Sequence, residues 1–185
     1  MKNLKNLFFM CLVVSLAFLT ACGDDDVEDP VDPNEEEVIT TLTLTFTNGA
    51  SVQTFTFRDP DGDGGTAPTV EDITLTNGVA YTVDVTLLNE SETPAESITE
   101  EIEEEDDEHQ FFFTGSAVGS VLTHAYGDMD DNMNPIGLTN TITTTNAGTG
   151  VLTVTLKHQP GIKTSTTGIG DGETDIAVDF NVTVQ

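Results

Sequence analysis

The feature that most restricts the fold of this chain is an alternation of threonine with apolar residues that begins after Val38. Leu42, Leu44 and Phe46 alternate with Thr41, Thr43 and Thr45, and Phe55 and Phe57 alternate with Thr54 and Thr56. A period of two sends successive side chains to opposite faces, so these segments read as half-buried β-strands. Asn48-Gly49 lies between them and is a hairpin signal, because a tight turn needs residues that tolerate positive φ. Ile73 and Leu75 precede a second such signal, Asn77-Gly78. Val79, Tyr81, Val83, Val85 and Leu87 form the next inward face, so the pattern predicts two closed hairpins by residue 88. Further strands are predicted at 111–113, 118–126, 139–145 and 151–158. A last one is predicted at about 174–184, with Ile176, Val178, Phe180, Val182 and Val184 inward. Eight or nine short strands separated by turns predict an all-β fold, an antiparallel β-sandwich of immunoglobulin-like or related topology.

The first residues obey a different rule. Lys2 and Lys5 precede an apolar stretch at 7–19, which is shorter than a membrane-spanning helix and fits a secretory signal. Leu19-Thr20-Ala21-Cys22 resembles a bacterial lipobox, so residues 1–21 read as a lipoprotein signal peptide and Cys22 as the lipidated residue. An ordinary signal with an incidental cysteine is the alternative. Several acyl chains on one cysteine make a stable membrane anchor. Cys11 leaves with the signal, so the mature chain is expected to hold no disulfide and to depend on a packed core. Residues 22–37, rich in acid and proline, read as a disordered acidic tether. Asp24, Asp25 and Asp26 directly after the cysteine resemble the surface-export signal of Bacteroidota lipoproteins. This implies a lipid-anchored, surface-exposed place on the outer membrane; a solvated linker facing the periplasm is the alternative. Residues 38–185 remain for one β-sandwich domain.

Charge narrows the partners. Without the signal, Arg58, Lys157 and Lys163 stand against 33 acidic residues, a formal charge of 3 − 33 = −30. Such a surface repels nucleic acid and anionic lipid and attracts cations or basic proteins.

Several stretches could carry chemistry. Asp59, Asp61 and Asp63 alternate in DPDGDGG with glycine at the sixth place, like the first half of a calcium loop, although Val70 stands where the motif has glutamate. An Asp/Gly turn between strands is the competing reading. Residues 128–135, DMDDNMNP, are also rich in oxygen donors, but Met133 replaces the needed glycine, and a solvated loop is preferred. His109, His124 and His158 share strand parity with apolar neighbours near strand ends. They are either partly buried edge histidines or, with Glu104 and Glu108, candidate ligands for zinc or another transition metal. Catalysis finds no foothold: the mature chain lacks GxSxG, HExxH, a free thiol and a phosphate-cradling loop. The chain is therefore expected not to be an enzyme.

The stretch TPAESITEEIEEEDDEHQFFF at 93–113 departs from the strand rule. Thr93 as N-cap, Pro94 at the first helical position and Glu96 completing a capping box predict a helix, with Ala95, Ile98 and Ile102 on its docking face. Acids then crowd the C-terminal half, against the helix dipole. The run is a solvated face, a cation trap, or a docking site for a basic partner.

Four segments, FRDPDGDGGTAPTV, LLNESETPAESITEEIEEEDDEHQFFF, NPIGLTNT and GETDIAVDFNVTVQ, resemble a family of uncharacterised Bacteroidota lipoproteins often labelled "type 1 periplasmic binding fold superfamily protein". That label implies an α/β fold of about twice this length, whereas the strand periodicity here implies a β-sandwich; the resemblance implies no activity. The expectation for function is a non-catalytic envelope module that captures divalent cations, Ca²⁺ or Zn²⁺, and passes them to an outer-membrane transporter. The alternative is an interaction module whose acidic helix docks a basic protein without metal.

Overall fold

The computed structural model describes residues 37–62 and 65–185. The signal peptide, Cys22, the tether as far as residue 36 and Asp63 lie outside the described residues. The elements run β1 (Thr41–Asn48), β2 (Ser51–Arg58), β3 (Thr69–Val70), β4 (Ile73–Leu75), β5 (Ala80–Asn89), β6 (Glu96–Ser97), α1 (Ile98–Glu104), β7 (His109–Thr114), β8 (Leu122–Tyr126), β9 (Thr139–Thr144), β10 (Gly148–His158) and β11 (Glu173–Val184).

These strands form two sheets, in the orders β3-β2-β1-β5-β9-β8 and β4-β11-β10-β7, with β6 added beside β5. The pairs are antiparallel except β4 with β11. The fold is an all-β sandwich, as the alternation requires. Leu42, Leu44, Phe46, Tyr81, Val83, Val85 and Leu87 line the inner face of the first sheet. Phe111, Phe113, Leu152, Val154, Leu156, Val178 and Phe180 line that of the second. Phe46 meets Phe55 and Tyr81 edge-on, at centroid distances of 5.6 and 5.8 Å, a geometry that suits aromatic quadrupoles.

Two turn expectations divide. Asn48 pairs with Ser51 and Gly49 adopts φ 59°, so the first signal closes the β1–β2 hairpin. The second does not close a hairpin. Ile73, Thr74 and Leu75 pair in parallel with β11, while β5 pairs with β1, so Asn77-Gly78 carries the chain from one sheet to the other. An Asn-Gly step specifies a reversal at positive φ, here 74° at Gly78, but not which strand the chain then joins.

The helix also starts later than its capping signal implies. Glu96 and Ser97 pair with Asn89 and Leu88 instead of entering a first turn. Ser97 becomes the N-cap and makes no side-chain capping bond. Backbone pairing at the end of β5 outcompetes the Thr93–Glu96 capping box. Ile98 and Ile102 are buried as their four-residue spacing predicts, and Ala95 lies exposed outside the helix. The hydroxyl of Thr99 accepts from Leu87 N at 2.7 Å, which fastens α1 to β5. Of the three consecutive phenylalanines, Phe111 and Phe113 are buried and Phe112 is half-buried, as alternation demands.

Docking of α1 should be measurable. Ile102→Ala is expected to cost about 2–5 kcal/mol, the range for deleting a fully buried isoleucine side chain. Urea denaturation would detect this, and a loss below about 1 kcal/mol would show that the helix face contributes no core packing.

Candidate metal centre

The acidic run converts a helix into a strand within a few residues. Glu105 caps α1 with its N–H bonded to Glu101 O, and the N–H groups of Glu108 and His109 both return to Glu105 O. This turn delivers His109 as the first residue of β7. Its ladder partner is His158, the last residue of β10. Paired residues on neighbouring strands project to the same side, and parity with Phe111 and Leu156 sends both imidazoles inward. The rings stack at a centroid distance of 4.5 Å with planes 6° apart. His109 is fully buried and His158 nearly so.

Three carboxylates meet this pair. Glu105 Oε2 lies 3.9 Å from His109 Nδ1, and Asp175 Oδ2 lies 3.9 Å from His109 Nε2. Glu108 Oε2 is 3.4 Å from His158 Nε2. Glu105, His109 and His158 each offer a ligand atom within 4.8 Å of the others, so the group could hold a metal ion. Burial, and then the neighbouring His158, push the pKa of His109 down to about 4. His109 is therefore neutral near pH 7, the form in which imidazole binds metals.

Electrostatic crowding extends to the residue that leads into β1. Glu37 is half-buried and its carboxyl is hydrogen-bonded to that of Glu101. Burial first, then Glu101, Glu105 and Asp175, raise its pKa from 4.5 to about 8.

A buried ion pair braces the turn. Lys163 Nζ stands 3.1 Å from Asp130 Oδ2, with both side chains fully buried, and donates to Asp106 O at 2.5 Å. Burial alone would raise the pKa of Asp130, but the Asn134 N–H and the Lys163 ammonium hold it below the usual carboxylate value. Asp130 Oδ1 also accepts from the N–H groups of Asn132 and Asn134. Asp128 accepts from Gly137 N and Thr139 N at 2.7 and 2.8 Å. The oxygen donors of Asp128 and Asp130 in the 128–135 loop are thus engaged by backbone and ammonium, and the loop is not simply solvated as expected, because Asp130 and Asn134 are buried around the Lys163 ammonium.

The expected ligands fall into separate places in the fold. His109, His158 and Glu108 converge. Glu104 is exposed and does not join the group; Glu105, one residue on, faces His109 because the helix ends there. His124 belongs to the other sheet, stacks on Phe113 at 4.3 Å and places Nε2 2.9 Å from Asn140 Oδ1, so it is a core contact. Burial lowers its pKa. Asp61 Oδ2 accepts from Thr66 N at 2.7 Å, so one of its oxygens is engaged locally, and Asp59 N donates to Thr40 O. Asp59 and Asp61 form no metal-ligating group with other described residues.

Asp175 had no sequence signal. Leu156 pairs with Ile176 and Lys157 with Thr174, so the β10–β11 ladder steps over Asp175. Strict alternation would place this carboxylate outside with Ala177 and Asp179. The bulge instead leaves its side chain only 2% exposed, beside His109.

No protein-family model, curated protein or solved structure shows a significant match to the chain.

Glu37 provides a test of the crowding. Its folded-state penalty is absent below its ordinary pKa of 4.5, where the unfolded chain also holds the proton, and grows as pH rises toward about 8. With metals chelated, Glu37→Gln is expected to raise the melting temperature, more at pH 8 than at pH 5. An equal or opposite change at the two pH values would show that Glu37 does not sit among the acids as described.

Proposed function

We propose that this domain is a non-catalytic binding module that captures a divalent transition-metal ion, with zinc the best match. The observation that carries the proposal is the buried, stacked His109–His158 pair with Glu105 in ligand range. Two imidazoles beside carboxylates suit zinc and its neighbours in the transition series. Calcium prefers a shell built from oxygens alone, which weighs against it at this pair. The surrounding negative charge raises the local concentration of cations and favours their entry. A lipid anchor at Cys22 and delivery of the ion to an outer-membrane transporter belong to the same proposal, supported by the lipobox and the acidic residues that follow it.

Stability then depends on metal. At a free Zn²⁺ concentration of 100 Kd the domain should gain about 2.7 kcal/mol, and EDTA should reverse the gain. His109→Ala and His158→Ala should abolish both the melting shift and the heat of Zn²⁺ binding in calorimetry, whereas His124→Ala should retain the binding. If the wild type shows neither a melting shift nor a binding heat with Zn²⁺, the proposal fails.

A further inference from the structure

We propose that Lys163 and Gln159 are positioning residues of this centre: they grip main-chain carbonyls of the turn at 105–108 and so hold Glu105 and Glu108 against the histidine pair. The inference rests on reading that pair as a metal site, and it gives a buried positive charge the role of strengthening the capture of a cation.

The turn needs such a grip because its own residues work against it. Helix α1 runs into unbroken acid at 103–108 and has no basic residue in its last turn. Carboxylates at that end meet the negative pole of the helix dipole and repel one another. Side-chain burial does not hold them either, since the side chains of Glu105 and Glu108 are 51% and 36% exposed. Left to itself, such a segment would unwind and carry both carboxylates into water.

The opposing contacts come from the loop after β10. Gln159 N donates to Glu108 O at 2.6 Å, and Lys163 Nζ donates to Asp106 O. Gln159 O accepts from Ile162 N and Lys163 N, both at 3.1 Å, so the two grips belong to one tight chain reversal. The Gln159 side chain fastens that reversal just ahead of β11 by donating to Asp171 O at 3.1 Å. Both acceptors in the turn are main-chain carbonyls, so the backbone is fixed while the carboxylates stay available. Glu105 then lies in ligand range of both imidazoles. Glu108 Oε2 lies 3.4 Å from His158 Nε2, where an ionised carboxylate accepts from the ring and orients it, a common support of metal-bound imidazole.

Charge alone predicts the opposite sign, because a lone ammonium near a cation site repels the ion. Here Asp130 Oδ2 stands 3.1 Å from Nζ, and both side chains are fully buried. The pair is close to neutral at a distance, whereas the charge-assisted hydrogen bond to Asp106 O acts at contact. Removing Lys163 therefore loosens two carboxylates and relieves little repulsion.

The experiment is Zn²⁺ calorimetry on the full chain, on the double variant Lys163→Met/Asp130→Asn and on Arg58→Gln, with melting curves in EDTA as the control for folding. The double variant removes both buried charges together, so neither is stranded, and asparagine keeps an oxygen for the N–H groups of Asn132 and Asn134. It should melt within a few degrees of the wild type in EDTA yet bind Zn²⁺ about 10–100-fold more weakly, the common loss when the support of a metal ligand is removed. With Co²⁺ in place of zinc, the visible bands of the bound ion should shift as water replaces Glu105, a change that lower stability alone would not produce. Arg58→Gln removes a surface charge paired with Glu90 and should leave the affinity unchanged or slightly higher. A loss there as large as in the double variant would overturn the inference, since any missing positive charge would then suffice. A folded double variant that binds Zn²⁺ as tightly as the wild type, or more tightly, would overturn it and leave the histidine site standing. Absence of binding in the wild type would overturn both. Should the double variant not fold, diffraction from the zinc-loaded wild type decides. An ion on Glu105 with the Lys163–Asp106 bond intact supports the assignment; an ion bound without Glu105, or with that bond broken, overturns it.

Discussion

Phe111 and Phe113 set the register of β7 against β10, and the chemistry at this end of the domain follows from that register. They pair with Leu156 and Val154 in the layer between the sheets. Each buried aromatic or aliphatic side chain contributes roughly 1.5–3 kcal/mol relative to exposure. A slip of one residue would turn every one of these side chains outward. The hydrophobic rows therefore fix the ladder, and the ladder places His109 beside His158 at its last rung. Stacking two imidazoles in an interior and surrounding them with acid stabilises little by itself. The apolar rows behind them hold the arrangement.

A second constraint acts from the opposite side. The turn at 105–108 carries one exposed carboxylate toward His109 and another toward His158, yet it has no apolar residue of its own. Its position depends on Lys163, whose buried ammonium joins Asp130 to the carbonyl of Asp106. Breaking a buried ion pair by removing one partner commonly costs about 3–5 kcal/mol, because the remaining charge is stranded away from water. One of only three basic residues outside the signal segment is thus used as an internal brace, so its charge is unavailable at the surface.

The sandwich was legible because period two is a direct consequence of strand geometry, and Leu42, Val83, Val154 and Phe180 fall on their expected faces. The histidine pair was half legible. Parity placed His109 and His158 inward, but only the ladder pairs them, and His124 has the same parity with a different partner. Local sequence rules failed where long-range pairing decided the outcome. Glu96 and Ser97 joined β5 in place of a capping box, and Asn77-Gly78 joined two sheets in place of two adjacent strands. Asp175 was illegible for the same reason: a bulge is a mismatch between two strands and leaves no mark on either one alone.

That bulge separates two kinds of information in one strand. Removing a single residue at 175 would let Thr174 and Ile176 follow each other across Lys157 and Leu156 in an uninterrupted ladder. The sandwich would keep every apolar contact that Val178, Phe180, Val182 and Val184 make. What would disappear is one inward-facing carboxyl group. In β11 the scaffold is written in the phase of the alternation, and the inward placement of Asp175 in a one-residue break of that phase. A lineage could gain or lose that buried carboxyl group by insertion or deletion of one codon without first finding a new core.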